Sequence, residues 1–306
     1  MSPAREGEGK RALITGLAGF TGHYVEQELR AAGYQIFGTS TPGHAVDGKD
    51  EGIYAVDLTD RDAVAAMVRA VRPDVVAHLA GIAFVGHADV EQIYKVNVVG
   101  TRNLLEALAA LERKPAAVLL ASSANIYGNT DVEVIGEEVR AAPANDYAVS
   151  KLSMEYMARL WNDKLPIIVT RPFNYTGVGQ HENFLLPKIV SHFRRADPKI
   201  ELGNLHVARD FSDVRMVAAS YRALLAAPSA AGQTFNICSG VAYTLGQALD
   251  MMADIAGYRI DVRVNPAFVR ANEVARLVGD NRRLAAIVGA IEPLPLAETL
   301  RWMYLA

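Results

Sequence analysis

From Arg11 to about Arg171 the chain repeats one pattern, a short run of β-branched and aliphatic residues followed by a longer stretch with apolar positions at helical spacing. Few arrangements satisfy that alternation. A helix between each pair of strands returns the chain to the same edge, so the strands come out parallel and covered on both faces. The pattern predicts strands near Arg11 to Thr15, Gln35 to Thr39, Tyr54 to Asp57, Val75 to Leu79, Val118 to Ser122 and Ile167 to Thr170. Helices are expected near Phe20 to Ala32, Asp60 to Val71, Val90 to Leu111 and Asp146 to Asn162. The expected fold class is α/β, a doubly wound parallel sheet that binds its ligands outside the carboxyl ends of the strands.

After Pro172 the alternation breaks at Gly177, Gly179, Pro187, Pro198 and Gly203, before a helix-like stretch from Ser212 to Ala227. A smaller mixed α/β lobe is expected there. The predicted division is a disordered tail over 1–9, a dinucleotide-binding domain over 10–173 plus about 212–240, and a second, substrate-binding lobe over about 174–211 plus 241–306. The net charge of -3 provides no field for a nucleic-acid backbone, so nucleic-acid binding is not expected. The longest apolar stretches are strand-sized and short of the ~20 residues that span a bilayer, so no membrane span is expected either. A single cysteine, Cys238, allows no intrachain disulfide and suits a reducing compartment, with the cytoplasm as the simplest location. The seven histidines show no paired spacing of the kind that holds a metal.

The first strand runs into Thr15-Gly16-Leu17-Ala18-Gly19-Phe20-Thr21-Gly22 and then into a helix. Glycines there let the backbone turn tightly against a pyrophosphate, which the free N–H groups of the helix start stabilise. Gly16, Gly19, Phe20, Thr21 and Gly22 are therefore candidate cofactor contacts. A site specific for NAD carries an acid about 20 residues on, where it bonds the ribose hydroxyls. This chain has Gly38-Thr39-Ser40 at that point, with His44 and Lys49 following. Thr39 and Ser40 thus favour NADPH, with NAD(H) as the alternative. Asp57 and Leu58 after the third strand, and Leu79, Ala80 and Gly81 after the fourth, reach the same edge. Two plainer roles compete with these: Asp57 as a strand-end cap, and His78 as a hydrogen-bonded core histidine.

Tyr147 and Lys151 stand four apart at the start of a predicted helix and share a face. A free tyrosine has a pKa near ~10, and a neighbouring ammonium lowers the cost of moving its proton near neutral pH. Ser123, at the end of the fifth strand, can bond the same substrate oxygen. Ser123, Tyr147 and Lys151 are the candidate catalytic group, with Tyr147 and Lys151 also facing the cofactor.

With the glycine turn, the serine and Tyr-x-x-x-Lys in place, the chain resembles an extended short-chain dehydrogenase/reductase of the NAD-dependent epimerase/dehydratase kind, over nearly its whole length from Lys10. The resemblance implies a Rossmann-type sheet. It adds Asn97 of the central helix and Arg171, in Arg171-Pro172-Phe173-Asn174, to the cofactor set. Within the family, the second half is similar to the GDP-4-keto-6-deoxy-D-mannose reductases and their GDP-mannose 4,6-dehydratase relatives. The segments that carry this are Asn174 with Gly177-x-Gly179-Gln180, Leu202-Gly203-Asn204-Leu205 leading to Arg209-Asp210-Phe211, Asn236 to Gly240, and Arg270 through Asp280. Arg209, Arg270 and Lys188 are expected to clamp the phosphates, and Asn174 to bond a phosphate or sugar oxygen. Glu182 and Glu273 are candidates for base or ribose contacts, and Leu202 and Asn204 line the same region.

Dehydratases of this kind place an acid two residues after the serine. Here Ser123-Ala124-Asn125 puts an amide there, which cannot accept a carbon-bound proton. The resemblance then implies NADPH-dependent reduction of the carbon-4 ketone of a GDP-4-keto-6-deoxy sugar, hexose or heptose, in the supply of surface polysaccharide precursors. Asn125 joins Ser123 on the substrate side. An epimerase or dehydratase with tightly held NAD(P) is the alternative, and a non-catalytic cofactor-binding regulator is a third. The helices around Val90 to Leu111 and Asp146 to Asn162 are expected to form a four-helix homodimer interface, as in similar enzymes.

Overall fold

The computed structural model describes residues 5–41, 52–82, 89–268 and 276–306. Seven parallel strands form the main sheet: β1 (Arg11–Thr15), β2 (Gln35–Ser40), β3 (Ile53–Ala55), β4 (Val75–His78), β5 (Ala117–Ala121), β7 (Ile167–Pro172) and β11 (Thr234–Ile237). Their order is β11-β7-β5-β4-β1-β2-β3, so the chain reverses direction across the sheet between β1 and β4. A crevice opens at the carboxyl edge there. The sheet has the doubly wound parallel topology that the alternation predicts.

Period-two side chains explain both covers. Ala12, Ile14, Val75, Ala77, Leu119 and Ile168 point into a core with α1 (Phe20–Ala31) and α7 (Val214–Leu225). Leu13, Val76, Val118, Leu120, Ile167 and Val169 point the other way. Their partners are α2 (Arg61–Val71), α4 (Thr101–Ala110) and α5 (Asp146–Arg159). Burying each such aliphatic side chain is worth about 1.5–3 kcal/mol.

The long helix expected over Val90 to Leu111 is interrupted. α3 (Val90–Tyr94) passes into a π-helical turn over Lys95–Gly100 before α4 begins. The third strand ends at Ala55 rather than Asp57, and α7 starts at Val214 because Ser212 and Asp213 still belong to a strand.

A second sheet gathers short strands from distant parts of the chain: β6 (Val134–Ile135), β8 (Asn174–Thr176), β10 (Ala208–Asp213), β12 (Ala242–Thr244) and β14 (Arg276–Gly279). Its order is β12-β10-β14-β6, with β8 also paired to β10. A two-stranded ladder joins β9 (Lys199–Leu202) to β13 (Asp261–Val264). Its third core lies among α6 (Leu185–Arg194), α8 (Leu245–Ala256) and α10 (Leu296–Leu305). α9 (Arg282–Val288) returns to pack on α7 and β11. Among the described residues no helix is long and apolar enough to cross a membrane.

The glycine turn shows how tightly the layers meet. Gly16 has φ +73°, a left-handed conformation that a side chain disfavours. A Cβ on Gly22 would collide with the Gly16 carbonyl and lie 2.5 Å from the Leu17 carbonyl oxygen. Gly22→Ala should therefore cost about 1–3 kcal/mol, read as a lower urea midpoint. Gly246→Ala in α8, where the added carbon would meet nothing closer than 3.7 Å, should leave that midpoint nearly unchanged.

Candidate active site at the carboxyl edge

β1 delivers the chain into the turn and α1 takes it away. The helix is capped by Gly19 with no side-chain bond, and its first turn carries no acid, so the positive end of its dipole is left for an anion. Around it, Gly16 N–H donates to Thr39 Oγ1 at 3.1 Å, and Ala80 N–H to Thr15 Oγ1 at 3.3 Å. A Cβ on Gly16 would stand 2.9 Å from Ala80 Cα. The turn after β1, the end of β2 and the turn after β4 thus meet. Ser40 lies beside them with a buried Oγ that has no partner among the described residues. A cradle too tight for side chains and an unsatisfied hydroxyl at the end of β2 fit a dinucleotide with its pyrophosphate at α1. His44 and Lys49 lie outside the described residues.

His78 belongs to the core. Its Nδ1 is 2.6 Å from Thr15 Oγ1 and its Nε2 is 2.8 Å from Thr101 Oγ1. Burial, with the Lys151 charge assisting, pushes its pKa down to about 3, so it stays neutral and structural. Asp57 takes the capping role, its Oδ1 accepting from both the N–H and the hydroxyl of Thr59 at 2.8 Å. Leu58 is a core residue against α2 and α4. The Leu58 side chain, packed in that core, is not available to a cofactor, whereas Asp57 stays exposed beside its local bond to Thr59.

Tyr147 and Lys151 lie on the first two turns of α5, which Asn145 caps by accepting from Ala148 N–H at 2.9 Å. Both are buried. Lys151 Nζ donates to the Ala121 carbonyl at 2.8 Å, at the tip of β5. A Cβ on Gly81 would stand 3.2 Å from that Nζ and 2.9 Å from Asn97 Oδ1, which places the two groups side by side behind the turn after β4. Asn97 sits in the π-helical turn, where the wider winding brings its side chain into reach of three groups. Its Oδ1 accepts from Ile82 N–H at 2.9 Å, and its Nδ2 reaches Ile82 O at 3.2 Å and Ser150 Oγ at 3.0 Å. Ser150 in turn donates to the Tyr147 carbonyl at 2.7 Å, so Asn97 steadies the catalytic helix.

Ser123 caps a 3-10 turn over Ala124–Tyr127, its Oγ accepting from Asn125 N–H at 3.1 Å. Burial pushes the Tyr147 phenol up to about 12, with Ser123 near enough to draw it down and Tyr175 adding to the rise. Burial pulls Lys151 down to about 8, opposed by Glu155. The sequence argument has the ammonium lowering the phenol. In the structure that ammonium is turned to the Ala121 carbonyl, and Tyr147 is a firmly protonated phenol.

Arg171 corrects an expectation. It does not face the cofactor but forms a buried, two-pronged pair with Glu155, Nε to Oε1 at 3.0 Å and Nη2 to Oε2 at 2.7 Å. Its Nη1 also donates to Tyr127 Oη at 2.9 Å and to the Glu137 carbonyl at 3.0 Å. Ser122 Oγ donates to Glu155 Oε1 at 2.6 Å. Glu155 is a residue the sequence reading missed, although it follows Lys151 by one helical turn on the same face.

The substrate-side candidates scatter more. Asn125 is exposed on its turn, and Asn174 is exposed with Nδ2 3.4 Å from the Asp210 carbonyl. Arg209 lies on β10 beside Asp210, whose buried carboxylate accepts from Ser239 N–H and Oγ, Gly240 N–H and Gly279 N–H. Asn204 closes a local turn by accepting from His206 N–H. Lys188 donates to the Glu201 carbonyl at 3.0 Å and lies over the Phe268 ring. Glu182 is held below the usual carboxylate range by Ser191 and Arg195. Leu202 is in the third core rather than on a binding surface, because β9 turns it toward α6 and α8. Arg270 and Glu273 lie outside the described residues.

Removing one member of a buried pair leaves a bare charge, at a cost of about 3–5 kcal/mol. Arg171→Met should lose that much stability in urea unfolding, and adding Glu155→Gln to it should recover a large part.

The comparisons with known proteins agree with this geometry. The GDP-6-deoxy-D-talose 4-dehydrogenase of Aggregatibacter actinomycetemcomitans is 33% identical over 91% of each chain. The GDP-6-deoxy-D-mannose reductase of Pseudomonas aeruginosa is 31% identical over 95% of each. The structure of RMD from Pseudomonas aeruginosa complexed with NADPH superposes with a TM-score of 0.84 at 30% identity, over 97% of this chain and 98% of that one. A provisionally named epimerase from Burkholderia cenocepacia J2315 superposes with a TM-score of 0.92 at 54% identity, over 97% of each. The family model described as GDP-mannose 4,6 dehydratase matches residues 13–300. The chain belongs to that family, within the extended short-chain dehydrogenase/reductases, and is an NAD(P)-dependent oxidoreductase by descent.

Proposed function

We propose that the chain reduces the carbon-4 ketone of a GDP-linked 4-keto-6-deoxy sugar with NADPH. The observation that carries this reading is a buried Tyr147 that burial keeps protonated, near Ser123, which caps a turn whose residue 125 is an amide. A protonated phenol gives a proton to a carbonyl oxygen, whereas dehydration of the sugar needs a carboxylate to remove one from carbon. The relatives acting on GDP-6-deoxy-D-talose and GDP-6-deoxy-D-mannose support the substrate class. Thr39 and Ser40 in place of an acid at the end of β2 support NADPH, as does the NADPH complex of the Pseudomonas neighbour.

When bound, NADPH supplies a hydride to the carbonyl carbon. Tyr147 gives its proton to the carbonyl oxygen as the alcohol forms, and Ser123 orients that oxygen. Lys151, one turn further along α5, offers a positive charge behind the phenol that stabilises the anion left on it. Asn97 holds the helix that carries both. Large apolar side chains left exposed on the neighbouring helices, Val90, Val99, Tyr156 and Leu160, support a homodimer through α3, α4 and α5.

A nucleotide-sugar epimerase is the second reading, favoured by the 54% identical Burkholderia structure. Added NADPH separates the two. A reductase consumes it mole for mole with ketosugar, while an epimerase retains cofactor through purification and consumes none. Purified protein is expected to oxidise NADPH on addition of GDP-4-keto-6-deoxymannose, and Tyr147→Phe to lose about 10²–10⁴-fold in turnover while still binding NADPH. Full turnover in that variant, or no consumption by the parent, overturns the reading.

The pH dependence follows from Lys151. Its ammonium is intact at pH 7 and gives up its proton as pH rises through about 8, so turnover should fall on that side. In Lys151→Met the lower residual rate should show no such limb.

A further inference from the structure

Away from the reaction centre, one seam ties the glycine turn to the second lobe. Thr21, the second residue of α1, has its Oγ1 2.8 Å from Tyr175 Oη. The Phe20 ring stacks on Tyr175, with centroids 6.1 Å apart and planes 11° from parallel. One turn on, Tyr24 Oη donates to the Val178 carbonyl at 2.7 Å. The opening of α1, where the turn presents its N–H groups to a phosphate, therefore grips residues 175–178.

The gripped segment is stiff. Tyr175 lies in β8, paired with Ser212 of β10. Its carbonyl accepts from Gln180 Nε2 at 3.1 Å, and Thr176 Oγ1 donates to Gln180 Oε1 at 2.8 Å. Asn174 immediately precedes it and stands exposed beside Asp210 and Arg209 of β10. Tyr175 is also close enough to Tyr147 to raise the phenol pKa. A ligand that orders the first turn of α1 thus orders the strand that displays Asn174, and the reverse holds with it. Coupling of this kind is reciprocal by linkage.

We propose that the Thr21 and Tyr175 hydroxyls form a positioning pair that makes dinucleotide binding and nucleotide-sugar binding mutually reinforcing. This rests on the nucleotide-sugar reading above. The Thr21–Tyr175 hydrogen bond is one of three contacts in this seam, beside the Phe20 stacking and the Tyr24 bond, and removing either hydroxyl while keeping the bulk of the side chain breaks it selectively.

The test is GDP affinity, measured by calorimetry on the full chain without and with saturating NADP+. In the parent, NADP+ should tighten GDP binding about 5-fold or more, the lower bound of ordinary coupling. In Thr21→Val and in Tyr175→Phe the factor should fall below about 2, and the double variant should lose no more than either single one. A side chain that merely supports the fold would lower the urea midpoint and leave the ratio intact, so unchanged ratios in the variants overturn the inference. Absence of tightening in the parent does the same. If GDP does not bind the parent in either condition, the nucleotide-sugar reading falls and takes the inference with it. If Tyr175→Phe does not fold, Thr21→Val alone decides.

Discussion

The buried pair of Glu155 and Arg171 is the interaction on which the site's architecture depends. Glu155 comes from α5, and Arg171 from β7, the strand next to β5, which ends one residue before Ser122. Around them, Ser122, Tyr127 and the carbonyl of Glu137 complete the hydrogen bonding of both charges. Tyr127 passes the network on to Asn236 Oδ1 at 2.8 Å, and Asn236 Nδ2 reaches the Ile135 carbonyl. One ion pair therefore joins helix α5, the turn that bears Ser123 and Asn125, the edge strand β11 and the first strand of the second sheet. Charges taken out of water must be matched fully, and that demand holds these elements in one arrangement.

Burial sets the protonation of the site as well as its shape. His78, Lys151 and Tyr147 are each pushed toward their neutral forms by desolvation. For histidine that means no charge in the working range. For tyrosine it means a retained proton, and for lysine a charge that is easily lost. The same burial thus leaves a neutral histidine, a protonated tyrosine and a labile cation.

Much of this was legible in the sequence because it is local. The apolar runs, the glycine turn and Tyr147 with Lys151 depend on spacing within one element, and the strand and helix positions in the first half agree to within a few residues. What was not legible depends on partners far along the chain. Nothing around Arg171 marks it as the mate of Glu155, so its motif position suggested a ligand contact. Leu202 sat in a promising segment, but β9 determines which way it faces. The π-helical turn at Asn97 accompanies bonds to Ile82 and Ser150, and regular periodicity through Val90 to Leu111 conceals it. Val134 and Ile135 are too short a run to announce a strand, and only Val278 and Gly279, over 140 residues later, make them one.

That last pairing bears on how the protein can be made. β14 lies between β10 and β6 in the second sheet, and among the described residues β6 has no other neighbour there. A chain still leaving the ribosome can assemble the six parallel strands from β1 to β7 with the catalytic helix in place. It cannot finish the sheet opposite until residues 276–279 have emerged. Both sheets draw strands from separated parts of the chain, so neither can be cut out as a contiguous piece. A chain ending before Arg276 would keep Ser123, Tyr147 and Lys151 and lack the strand that joins β10 to β6.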